Sequence, residues 1–203
     1  MLIGIIFEFK DIKNDNTQKI RAIVTRSLMP EYRHDIILEA FEILHKKEID
    51  FELTIVGDGT EMTKLKQLAK KINIDKKVHF TGKIPNATLP ELLQKANFYI
   101  SMPITEGVSA SLFEAMASNC FPVVTDILGN QSWIKHRENG QLVTIDDSKM
   151  LADELVWAVE NIELCEKAIL QNRKWVEEHV NYTVNMKIIA DKYHELINAS
   201  KLN

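Results

Sequence analysis

Six short apolar runs, most of them rich in β-branched or aromatic residues, punctuate this chain, and segments with helical spacing fill the intervals. The runs are AIVT (22–25), FELTIVG (51–57), VHFTG (78–82), ANFYIS (96–101), FPVVT (121–125) and QLVTI (141–145). Short, nearly continuous apolar runs suit strands buried on both faces. Between the first two, Ile37, Ala40, Phe41 and Leu44 recur on one helical face. After the second, Met62, Leu65, Leu68, Ala69 and Ile72 do the same. Shorter helical segments are predicted at 87–96, from about Ser109 and at 131–136, with longer ones at 151–159, 163–180 and 183–199. In the last of these, Val184, Ile188, Tyr193 and Leu196 recur on one side. The segment 26–35 reads as a loop in which Pro30 blocks a helix before Tyr32. Strands that alternate with helices require crossover connections. These give an α/β, Rossmann-like doubly wound parallel sheet of about six strands, with appended C-terminal helices. Ligands of such a sheet bind at the carboxyl ends of the strands, near the switch point.

Composition removes several functions. The 203 residues are 45% apolar and 27% charged, enough for a sizeable core, and the formal charge of -4 leaves no basic footprint for nucleic acid. No apolar run approaches the roughly 18 residues of a membrane-spanning helix. Cys120 and Cys165 cannot make a disulfide framework, and the histidines lack metal-site spacing, so neither metal nor cofactor is expected. A reducing, cytoplasmic compartment is the expectation, possible attachment being limited to the inner face of a membrane. The start, MLIGIIFEFKDIKND, lacks the basic region and cleavage site of a signal peptide. Residues 1–20 read as a linker, 21–160 as the sheet domain and 161–203 as the appended helices.

The stretch most suited to chemistry joins the fourth and fifth runs. Glu106 lies in its loop, Glu114 eight positions later in the first turns of the following helix. Gly107 allows close approach of a ligand to the backbone. Free N–H groups of the helix opening near Ser109 suit a phosphate. Carboxylates beside a phosphate need another task, and pairing with sugar diols is one. Plainer readings stand alongside: Ser111 to Glu114 has the spacing of a capping box, and Glu106 fits a solvated loop carboxylate. Gly57-Asp58-Gly59 reads as a strand-to-helix turn capped by Asp58 or Thr60. His136 reads as a surface histidine at a helix end.

The segment EGVSASLFEAMASNCFPVV resembles the E-x7-E signature of the family 4 (group 1) retaining glycosyltransferases, whose usual form is close to EGxGxxxxEAMAxGxPVV. Segments on either side, over roughly 20–160, resemble the rest of that family's donor half in the same order. The resemblance implies the C-terminal, nucleotide-sugar-binding domain of a two-domain GT-B enzyme. Carried over by position, Glu106 binds hydroxyls of the transferred sugar and Glu114 those of the ribose. The amides of Val108, Ser109 and Ala110 face the phosphates, Arg26 neutralises the diphosphate, and Lys83 and Ile84 lie near the base. It also implies a UDP-, GDP- or ADP-linked donor, and a glycan or lipid-linked acceptor held by an N-terminal domain that this chain lacks, leaving it inactive alone. A binding-only module and a nucleotide-sugar epimerase are the alternatives. The sequence departs from the pattern in places. Tyr32 stands where the family has a second cationic residue, with Arg33 next to it as a substitute or a solvated charge. Thr25 and Asn119 stand where glycines are usual, and asparagine tolerates the positive φ that glycine supplies.

Overall fold

The computed structural model describes residues 19–200. Six parallel strands, β1 (Ile20–Val24), β2 (Phe51–Val56), β3 (Val78–Gly82), β4 (Phe98–Ser101), β5 (Phe121–Thr125) and β6 (Gln141–Val143), form one sheet in the order β3-β2-β1-β4-β5-β6. The helices are α1 (His34–Lys46), α2 (Met62–Lys71), α3 (Leu89–Leu93), α4 (Ala110–Ala117), α5 (Leu128–Gln131), α6 (Ser148–Glu160), α7 (Ile162–His179) and α8 (Tyr182–Ser200). This is the expected doubly wound fold, and its strand order reverses between β1 and β4.

Period-two geometry divides the strand side chains between two cores. Ala22, Val24, Leu53, Ile55, Phe98, Ile100 and Val123 pack with α1, α2 and α6. Ile23, Val56, Tyr99 and Val124 point the other way, onto α3, α4 and α7. Aromatic edges sharpen both. Phe41 meets Phe51 edge-on with centroids 4.9 Å apart, and Trp175 of α7 stacks on Phe113 of α4 at 5.9 Å. Full burial of such a side chain stabilises by about 1.5–3 kcal/mol, so the paired faces hold the strand ends in place.

Several boundaries differ from expectation. The predicted linker lies outside the described residues except for Lys19 and Ile20, and Ile20 already opens β1. Pro30 starts a single 3-10 turn, Pro30–Tyr32, instead of blocking one, because its fixed φ suits a first helical position. The helical turn expected at 131–136 lies earlier, in α5. Asn130 is buried and donates to the Thr125 carbonyl at 2.8 Å, which draws the turn to the end of β5. Asn119 has φ 65°, the left-handed conformation foreseen for it just after α4. Among the described residues, no helix is long and apolar enough to cross a membrane.

Candidate functional site

The loops after β1 and β4 leave adjacent strands and diverge, which opens a crevice between them. Arg26 enters it from the β1 side. Its Nη2 donates to the Glu106 carboxylate, and its Nη1 donates to Ser109 Oγ at 3.1 Å. The arginine and glutamate side chains are both 13% exposed. Arg26 Cζ lies over the Tyr32 ring, 4.5 Å from its centroid. The structure therefore brings together Arg26, Glu106 and Ser109, and it adds Tyr32.

Glu114 sits in the second turn of α4. The capping-box reading fails, because α4 opens one residue before Ser111, with Ser109 at the N-cap and no side-chain cap. Ser109 spends its hydroxyl on Arg26 instead, which leaves the first-turn amides of α4 uncapped by a side chain. No hydrogen bond or ion pair from a described residue engages the Glu114 carboxylate. Burial raises its pKa above the ordinary carboxylate value, and Arg26 partly offsets the rise. Glu106 shows the same direction and the same order of causes. Arg26 thus acts on both carboxylates.

Several polar atoms around this crevice lack partners. Thr25 Oγ1, Arg26 Nε, Tyr99 OH, Ser101 Oγ and one oxygen of Glu106 are buried without a hydrogen bond. Buried polar groups normally find one, and clusters of exceptions mark places that await another molecule. Tyr99 was legible as a polar tip in an otherwise apolar strand, and sequence reasoning passed over it.

Two backbone contacts set the loops. A Cβ at Gly129, at the start of α5, would strike the carbonyl oxygens of Glu106 and Gly107. A Cβ at Gly57 or Gly59 would strike the Arg26 or Leu28 carbonyl. The Gly57-Asp58-Gly59 turn therefore supports the arginine loop. Asp58 accepts from the Gly59 amide, and α2 carries no side-chain cap, so neither Asp58 nor Thr60 caps that helix. Around Gly107 a Cβ would meet nothing within 4 Å, so its own position is open.

The remaining predicted residues lie as follows. Val108 is half-buried against the second core and Ala110 is exposed at the first turn of α4. Lys83 and Ile84 follow β3, Lys83 exposed and Ile84 packed on the second core. Arg33 is not joined to the Arg26 cluster. It pairs with Asp35 and with Asp146 beyond β6, and these carboxylates hold its pKa above the usual value. His136 accepts from the Leu142 amide at 3.2 Å, which ties it to β6. Cys120 is core, donating to the Leu93 carbonyl, and burial pushes its thiol up to about 12. Among the described residues, no three His, Cys, Asp or Glu side chains gather as a metal site.

Residues 6–175 match the model of the family described as glycosyl transferases group 1. The chain belongs to that family. A curated relative, the UDP-N-acetylglucosamine–peptide N-acetylglucosaminyltransferase GtfA subunit of Limosilactobacillus reuteri, is 30% identical over 154 residues, which cover 71% of this chain and 30% of the relative. The chain therefore spans about a third of that relative's length. Among solved structures, Staphylococcus aureus TarM, crystallised with UDP among other ligands, superposes with a TM-score of 0.79 at 21% identity, covering 91% of this chain and 37% of TarM. Anabaena HepE in complex with UDP-glucose superposes at 0.79 with 17% identity, covering 87% of this chain and 49% of HepE. These likenesses give the group 1 chain its fold, one Rossmann-like half of a GT-B arrangement.

Proposed function

We infer that this group 1 chain is the donor-binding half of a retaining glycosyltransferase that uses a nucleotide-diphosphate sugar. The observation that carries the reading is Arg26, braced at the strand-order switch between Glu106 and Ser109, with Glu114 one turn further along α4. An empty site of this kind neutralises itself. When a donor enters, its diphosphate takes Arg26 and the uncapped amides around Val108, Ser109 and Ala110. Glu106 is released to the hydroxyls of the transferred sugar, Glu114 takes the ribose, and the backbone at Lys83 and Ile84 borders the base. Arg26 and the helix start would stabilise the leaving diphosphate as the sugar acquires oxocarbenium character. Preorganised charge of this sort is usually the largest single contribution to such a reaction. The acceptor hydroxyl would enter on the same face. Uridine is the favoured nucleotide, because UDP occupies the TarM structure and UDP-glucose the HepE structure. The acceptor, a glycan or lipid-linked glycan of the cell envelope, would be held by a further domain. The exposed side chains Val184, Ile188 and Tyr193 of α8 would face that domain. The reaction is assigned to the cytoplasm or the inner face of the membrane.

Calorimetric titration of UDP, GDP and ADP and their glucose and N-acetylglucosamine conjugates tests this. The uridine ligands should bind most tightly. Arg26→Ala should weaken them by about 30-fold, since a charge-assisted hydrogen-bonded contact contributes about 2 kcal/mol. Failure of every nucleotide to bind more tightly than millimolar, or an Arg26→Ala chain with unchanged affinity, would remove the site from consideration.

A further inference from the structure

Arg26 is held from two directions. Its terminal nitrogens meet Glu106 and Ser109, and its Cζ lies over the Tyr32 ring, 4.5 Å from the centroid. Its Nε is buried with no hydrogen-bond partner. The ring is therefore a contact to Arg26 that does not depend on the partners of its nitrogens. Tyr32 is itself well anchored. It ends the 3-10 turn Pro30–Tyr32, its amide donates to the Met29 carbonyl at 3.1 Å, and the neighbouring Glu31 carbonyl accepts from Ile104 at 2.9 Å. That last bond ties the turn to the loop that carries Glu106.

Position 32 is also where the family resemblance calls for a second cation. Of the nearby cations, Arg33 pairs with Asp35 and Asp146, and Lys64 with Glu61. A guanidinium offers its edge to a phosphate and its face to an aromatic ring, so the two contacts do not compete. On the donor-site reading above, we propose that Tyr32 is a positioning residue for the donor phosphates. Its ring keeps the edge of Arg26 aimed into the crevice, so that the orientation of one arginine takes over the work of two cations. The carboxylate that leaves and the phosphate that arrives then meet the same fixed edge.

The test compares UDP with uridine, which lacks the phosphates, on the full chain by ligand-observed NMR titration. Tyr32→Phe keeps the ring and should bind UDP within about twofold of wild type. Tyr32→Leu keeps much of the volume without the ring's electrostatic face and should lose about tenfold for UDP, as about 1.4 kcal/mol of partly desolvated cation–π contact implies. Its uridine affinity should stay within about twofold of wild type, by the same arithmetic. Tyr32→Ala should repeat the Leu result, and Leu decides if the alanine chain unfolds. Equal losses for UDP and uridine would mean that Tyr32 contacts the nucleoside or merely supports the fold, and would overturn the proposal. So would a Tyr32→Phe chain as weak as Tyr32→Leu, since the hydroxyl would then be the active group. A wild-type chain that binds uridine but not UDP would instead bring down the donor-site reading, and this inference with it.

Discussion

Around β1 and β4, the two ends of the sheet treat their polar groups in opposite ways. At the amino end, the Asn97 side chain accepts from the Arg21 amide at 2.8 Å and donates to the Lys19 carbonyl at 2.9 Å. Lys19 pairs with Glu52 and Asp50, and Lys77 pairs with Asp50 while lying over the Phe51 ring. At the carboxyl end of the same strands, Thr25, Arg26, Tyr99, Ser101 and Glu106 each keep a buried polar atom without a partner. Identical strand geometry thus supports a closed edge and an open one. The difference lies in the loops. The amino edge is clipped by side chains that reach across strands, whereas the carboxyl edge diverges at β1 and β4 and leaves its polar atoms facing a crevice. Functional sites commonly carry this kind of unspent polarity at some cost in stability.

Substitutions at the two edges should therefore separate stability from binding. The largest effect is expected from Asn97→Ala, which removes the hydrogen bonds from the Arg21 amide and to the Lys19 carbonyl. Chemical denaturation should show a loss of about 2 kcal/mol, in line with unsatisfied half-buried groups, and uridine-nucleotide affinity should be unchanged. Loss of both properties together would mean that the edges are not separable.

Glu114→Gln should act in the reverse sense. Burial raises the pKa of Glu114, so the folded chain holds that proton more tightly than the unfolded one. The ionised carboxylate therefore costs stability at pH values above the raised pKa. The glutamine chain should melt higher than wild type at pH 7, as read by thermal denaturation. The gain should shrink as the pH falls through the raised pKa and vanish below the unfolded value. Nucleotide affinity should fall several-fold in the same variant, because the neutral amide is a weaker acceptor for ribose hydroxyls. A melting difference that grows on acidification would contradict this account.

The smallest effect belongs to Lys19→Ala. Its ion pairs are open to water, where such pairs contribute little, so melting temperature and affinity should both stay at wild-type values. A measurable loss would show that the amino edge depends on its charges and not on the Asn97 clip.

Much of this was legible from residues alone. The apolar runs matched the observed strands to within two residues at either end. The helix opening at Ser109, and the glutamates on either side of it, also stood where spacing placed them. Pro30 was misjudged because its effect depends on whether it begins or interrupts a turn, and sequence shows only that it breaks one. The capping box was misjudged for a related reason: Ser111 and Glu114 have the spacing, but Ser109 had already taken the cap position.

The sequence by itself determined the alternation of strands and helices, and hence a parallel doubly wound sheet with its chemistry on the carboxyl side. It also determined which residue types stand at the site, because those properties are local or follow from handed crossovers. Only the tertiary structure decided how the charges pair. Arg33 finds Asp146 across 113 positions of chain, and Arg26 finds Glu106 across 80. The α5 backbone lies against the Glu106 loop only because Gly129 has no side chain there. Nor does local spacing reveal that a tyrosine in the place of a cation has its ring 4.5 Å from the guanidinium carbon of the arginine it was expected to assist. Such pairings depend on which loop ends the sheet brings together, and that is settled by packing across the sheet.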